Sequence, residues 1–175
     1  MRAALLPDYK ADLVIDDVPV SDPGPGEVLV RVAGAGLCHS DLHLVAGEVP
    51  VLPTFPWILG HEVTGVIDQL GPGANGFQEG DAVAVWGGWG CGRCRVCRAG
   101  LEQNCPVGSR LTGVFEPGGF AEYLLVPESR HLVALGRLGS IRSHRRWRGC
   151  HEQGRLRGQH ARQRGDGQSG HGGGR

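Results

Sequence analysis

Four of the six cysteines fall within fifteen residues, as Cys91-Gly-Arg-Cys94-Arg-Val-Cys97 and then, after seven more residues, Cys105. One strongly curved loop can wrap four thiolates around a single ion, and Zn²⁺ takes a closed tetrahedral shell of this kind when its role is structural. Three thiols two residues apart are too crowded to pair neatly as disulfides. Iron is the rival ion, because C-x2-C-x2-C also opens the bacterial ferredoxin run and Pro106 follows Cys105 directly. That run places three residues before its last cysteine where this chain has seven, and no second cluster follows. Zinc is the expected ion, and a small iron-based electron carrier the reading set aside.

A second constellation lies upstream, in Cys38-His39-Ser40-Asp41-Leu42-His43 and in Gly60-His61-Glu62. Cys38 and His61 are suitable zinc ligands, although a lone Cys and a lone His this far apart are more often core residues. Their neighbours raise the odds. Asp41 and Glu62 are carboxylates of the kind that fix the tautomer of a ligating imidazole. Ser40 and His43 supply a hydroxyl and an imidazole able to pass a proton to solvent.

The elements that must carry these residues read as short strands. Arg2–Leu6, Leu13–Ile15, Val28–Ala33, Val63–Leu70, Ala82–Trp86 and Phe120–Val126 are apolar or alternating runs. They are separated by turn signals such as Pro23-Gly24-Pro25-Gly26, Gly71-Pro72-Gly73 and Glu79-Gly80-Asp81. Short strands and tight turns predict a mainly β barrel or sandwich. Short helices are expected around Asp41–Val45 and after Arg95.

The formal net charge of zero hides a division near Gly136. Residues 1–135 carry 8 basic and 16 acidic side chains, whereas residues 136–175 carry 10 basic and 2 acidic ones. The second stretch holds 11 of the 31 glycines and only six apolar residues, without periodicity, so disorder is its expected state. No secretory signal and no run of about 20 apolar residues is apparent, which predicts a cytoplasmic chain with reduced, metal-bound thiols and no membrane partner.

Taken in order, Cys38-His-Ser-Asp-x-His43, Gly60-His61-Glu62-x-x-Gly65-x-Ile67, Gly80-Asp81-x-Val83 and the four-cysteine loop resemble the zinc-dependent medium-chain alcohol dehydrogenases. The likeness covers residues 1–136 and corresponds to the N-terminal, GroES-like catalytic domain of that family. It implies a GroES-like β-barrel with short helices over residues 1–135. It also implies a catalytic zinc on Cys38 and His61 with Glu62 beside it as an occasional ligand, and a structural zinc on Cys91, Cys94, Cys97 and Cys105. Ser40 and His43 would form the proton relay, with His39 near the cofactor pyrophosphate. The implied reaction is NAD(P)-dependent oxidation of an alcohol to an aldehyde or ketone by hydride transfer. Zinc would lower the pKa of the alcohol, Ser40 would take its proton and His43 would relay it outward. Small-molecule alcohols or carbonyl compounds are the implied substrates, and family members assemble as homo-oligomers.

Family members continue into a doubly wound dinucleotide-binding domain, which this sequence is expected to lack. The tail spells G-x-G-x-x-G at residues 165–170, but no apolar strand precedes it and no helix can follow, so it is not a cofactor fingerprint. Cys150 stands at a tempting distance for a third catalytic-zinc ligand, in a context that does not match. The lysine-free, Arg/Gly/His/Gln-rich tail reads like out-of-frame translation of a GC-rich gene. Without a domain to hold NAD(P), the chain as it stands is expected to be inactive. The alternative reading is a non-enzymatic, zinc-stabilised binding module with a basic tail. Ten arginines suit an anionic surface, but the scarcity of stacking aromatics argues against nucleic acid. His131 is expected to be an ordinary surface or packing residue, Arg93, Arg95 and Arg98 to form a solvated face, and Trp57, Trp86 and Trp89 to wall a pocket or pack in the core or a loop.

Overall fold

The computed structural model describes residues 1–136. The expectations placed on later residues (tail disorder, Cys150 and the glycine run at 165–170) lie outside the described residues. Residues 1–136 form ten strands and two short α-helices: β1 Arg2–Leu6, β2 Val14–Asp17, β3 Val28–Gly36, α1 His39–Val45, β4 Trp57–Ile58, β5 Glu62–Leu70, β6 Ala82–Val85, β7 Gly88–Trp89, α2 Arg95–Arg98, β8 Arg110–Leu111, β9 Tyr123–Val126 and β10 Leu132–Ala134. This is the mainly β architecture with short helices that the sequence predicts.

The centre is a five-stranded antiparallel sheet in the order β10-β6-β5-β3-β9. Its strands alternate as a half-buried sheet requires: in β5, Val63, Gly65 and Ile67 face inward, and in β6, Val83 and Val85 do so. These side chains join Val28, Val30, Trp89, Leu124, Val126 and Leu132 in the main core. The register of β3 on β5 shifts between Leu29 and Val30 and again between Val32 and Gly34, bulges that bend the sheet toward closure.

The second wall is the sheet β2-β1-β4. The run Phe120–Val126, expected as one strand, joins the two walls. Its start lies against β1, with Ala4 N–H donating to Phe120 O at 2.7 Å and Ala121 bridging Ala3. Its end, β9, pairs with β3. A smaller core of Leu6, Leu44, Trp57 and Leu59 seats α1 beneath this junction.

Two departures from the sequence reading have clear causes. The run Leu13–Ile15 pairs one residue later, as Val14–Asp17, and every residue of that strand is exposed. It is held by its ladder with β1, not by a core. The two-residue strands β4, β7 and β8 fall below the length at which alternation is visible. No helix among the described residues is long and apolar enough to cross a membrane.

Candidate metal centres

Cys38 ends β3's excursion and begins α1, while His61 and Glu62 open β5; the pairing of Gly36 with Glu62 brings the two chain segments together. One ligand atom each from Cys38, His61 and Glu62 lies within 4.8 Å of the others. Gly60 sets the approach. Its φ is +95°, and a Cβ there would meet the Phe120 ring at 2.5 Å, so glycine is the residue that lets His61 turn in.

Asp41, 1% exposed, ties both segments down. Its Oδ2 accepts the Cys38 N–H at 3.0 Å, closing the first turn of α1. Its Oδ1 faces His61 Nδ1 at 3.4 Å. Both of these atoms are buried and have no other partner among the described residues. A proton on Nδ1 satisfies the two together and leaves the Nε2 lone pair on the side of Ser40, whose Oγ is 3.3 Å away. A ligating histidine is normally oriented in this way. The donor set of one thiolate, one imidazole nitrogen and one carboxylate therefore fits an open zinc site.

The other members of the upstream motif divide into two groups. Ser40 lies against His61, whereas His43 Nδ1 pairs with Glu48. His39 is exposed and meets the His43 ring edge-on, with centroids 4.6 Å apart. Glu48 was not singled out from sequence; its position five residues beyond His43, past the end of α1, is the available signal.

The four-cysteine loop is a separate and closed arrangement. Its four Sγ atoms lie within 4.8 Å of one another, with recorded separations of 3.4 Å (Cys94–Cys97), 3.9 Å (Cys91–Cys97) and 4.0 Å (Cys94–Cys105). A tetrahedral ion with Zn–S bonds of about 2.3 Å would set its sulfurs roughly 3.8 Å apart, so the loop needs little movement to receive one. All four thiols are free. The N–H groups of Arg93 and Cys94 hold the Cys91 thiol down at about 6, while burial pushes the Cys97 thiol up to about 12. Gly90 permits the tight return, since a Cβ there would lie 2.7 Å from Cys97 Sγ.

Behind the loop stands a charged group that the sequence reading missed. Glu102 accepts the Gly90 N–H at 2.8 Å and pairs with Arg130, which also pairs with Glu128 at 2.7 Å. Burial alone would raise Glu102, but Gly90, Arg130 and His131 outweigh it and hold the carboxyl below its usual range. His131, read from sequence as a surface or a packing residue, is buried and stacks on Trp89. Glu102 is the only acid between Cys91 and Cys105, in a loop with three arginines, and that was the signal in the sequence.

The tryptophans separate. Trp57 and Trp89 are core residues at 9% and 2% exposure, whereas Trp86 is 51% exposed. Trp86 follows Val85, which pairs with Val63, so it emerges beside the His61–Glu62 segment.

The described residues thus form a mainly β domain with one closed and one open constellation of candidate metal ligands. Residues 24–137 match the alcohol dehydrogenase GroES-like domain, and the chain belongs to that family. An alcohol dehydrogenase of Rhizobium meliloti (strain 1021) is 44% identical over 125 residues, covering 70% of this chain and 36% of the relative. An NAD-dependent alcohol dehydrogenase of Sulfurisphaera tokodaii is 36% identical over 148 residues, covering 81% of this chain and 42% of the relative. The cobalt- and zinc-bound thermostable alcohol dehydrogenase of Pyrobaculum aerophilum superposes with a TM-score of 0.70 at 40% identity, covering 77% of this chain and 41% of that one. The chain thus spans about two fifths of the length of these relatives.

Proposed function

We propose that residues 1–136 are the metal-carrying, substrate-binding part of an NAD(P)-dependent alcohol dehydrogenase. In this reading Cys38 and His61 hold a catalytic zinc with Glu62 beside it. Cys91, Cys94, Cys97 and Cys105 hold a structural one. The observation that carries the reading is the convergence of Cys38, His61 and Glu62, with the buried Asp41 behind the imidazole. When bound, zinc supplies Lewis acidity toward an alcohol oxygen and the nicotinamide supplies a hydride acceptor.

The chain's own residues do the rest. Asp41 fixes His61 so that its Nε2 is free to ligate. Ser40, at the same edge of the site, takes the hydroxyl proton of the alcohol. His43, one turn along α1, is the next proton station, and its pairing with Glu48 leads to solvent. His39, exposed on the first turn of α1, is the residue assigned to the cofactor pyrophosphate. Trp86 supplies an apolar wall for a small alcohol or carbonyl compound.

Metal analysis tests this directly. Two equivalents of zinc per chain are expected, falling to one in His61→Ala and in Cys38→Ala. A single equivalent that neither substitution alters would overturn the catalytic-site assignment and favour the zinc-stabilised binding module. The 175 residues taken alone, which match 36% and 42% of the length of these two relatives, are expected to form little NAD(P)H from alcohols. Clear alcohol-dependent NAD(P)H production by the purified chain would refute that expectation.

A further inference from the structure

Glu102 belongs to the four-cysteine loop, while Arg130 and His131 lie far along the chain, immediately before β10. Their side chains converge on Gly90, the residue preceding the first cysteine. Glu102 accepts its N–H at 2.8 Å, and Arg130 Nη2 donates to its carbonyl at 3.2 Å. Both backbone polar groups of Gly90 are therefore taken by one ion pair. Arg130 is held from behind by Glu128, at 2.7 and 2.9 Å, and His131 Nε2 meets the Glu102 carboxylate at 3.2 Å. The guanidinium also packs against Gly92, between the first two cysteines; a Cβ there would fall 2.8 Å from its central carbon.

Coordination chemistry does not require any of this, since four local thiolates suffice for an ion. What the contacts do is anchor the loop to the start of β10 before an ion arrives. Closing and ordering a loop of this length costs conformational entropy, and fixing its first residue in advance removes part of that cost from binding. We propose that Glu102, Arg130 and His131 form a latch that holds the four-cysteine loop ready for its metal, with Arg130 as the positioning residue. The latch rests on the reading of the loop as a metal site. Arg130 uses three nitrogens of its planar fork at once, on Glu128, Glu102 and Gly90, and a lysine ammonium cannot reproduce that geometry.

The test uses Co²⁺ as the probe, in the full chain carrying His61→Ala so that only the loop contributes thiolate-to-cobalt absorption. Arg130→Ala and Glu102→Gln are expected to raise the Co²⁺ dissociation constant by about 10- to 100-fold, the usual effect of losing partners that orient metal ligands. Arg130→Lys should recover little of this. Arg2→Ala, which breaks the exposed Arg2–Glu122 pair elsewhere, should leave the constant unchanged within about twofold. Unchanged Co²⁺ affinity in Arg130→Lys and Glu102→Gln, with only lower thermal stability, would reduce the group to an ordinary structural contact and overturn the proposal. If the parent itself shows no thiolate–cobalt band, the metal reading of the loop fails and the latch with it.

Discussion

The two candidate metal sites are built on opposite plans. The four-cysteine loop draws every ligand from fifteen consecutive residues and closes upon itself. The Cys38–His61–Glu62 site is assembled from two segments that meet only because β3 and β5 are paired. The loop offers four like donors and no open position. The assembled site offers three unlike donors, with Ser40 against its imidazole. A closed shell holds structure, whereas an open one leaves a coordination position for chemistry. The two sites share no ligand residue, so their properties can be separated by substitution.

The largest expected difference is in stability. Cys97 is a buried member of the loop and its sulfur is near those of Cys91 and Cys94. Cys97→Ala is expected to abolish tight binding at the loop and to lose about 3 kcal/mol or more of metal-linked stability, a modest share of the roughly 10–16 kcal/mol with which structural zinc binds. At about 3–4 °C per kcal/mol for a domain of this size, Tm should fall by about 10 °C. His61→Ala removes an ion from a preformed edge of the barrel and should shift Tm by about 2 °C or less. Equal shifts in the two variants, measured by calorimetry on zinc-loaded protein, would erase the distinction between a structural and a functional site.

How much of this was legible in the sequence follows the same division. The loop could be read without any fold, because ligand spacing and ligand geometry coincide when all donors are local. The assembled site became readable through the resemblance carried by Cys38–His43 and Gly60–Ile67, and its geometry depended on the β3–β5 register. The alternation of Val63, Gly65 and Ile67 made β5 visible, and Ala82–Val85 made β6 visible. The short strands β4, β7 and β8 were not, since two residues carry no period. Arg130 escaped for a different reason. It is one of several charged residues near β10, and its partner Glu102 lies 28 positions away. A long-range contact of that kind leaves no local pattern.

An intermediate effect tests how the assembled site is held. Asp41→Asn keeps the shape but replaces the carboxylate that faces His61 Nδ1 and accepts the Cys38 N–H. Metal affinity at this site is expected to fall about 10- to 100-fold, with about 1 kcal/mol lost from the start of α1. Affinity at the loop should not move. Competition titration with a chromogenic chelator resolves the two sites, and a loss shared equally between them would show that Asp41 acts on the whole barrel and not on His61.

The smallest effect concerns protons, and it bears on the loop. Binding requires thiolates, so each thiol protonated in the metal-free loop must release its proton. Cys91, held down at about 6 by the N–H groups of Arg93 and Cys94, is already largely ionised at pH 7. Cys97, pushed up to about 12 by burial, is not. At least one proton therefore leaves per ion bound, and the law of mass action makes affinity rise with pH by at least about tenfold per unit near neutrality. Lowering the pH from 7.5 to 6.5 should weaken Co²⁺ binding at the loop by that factor or more, in the His61→Ala background that removes the other site. A flat profile over that interval would mean that all four sulfurs are thiolates before the metal arrives. Cys97 would then owe its ionisation to the N–H groups around it, and the loop would be an anion trap formed in advance, independent of the ion.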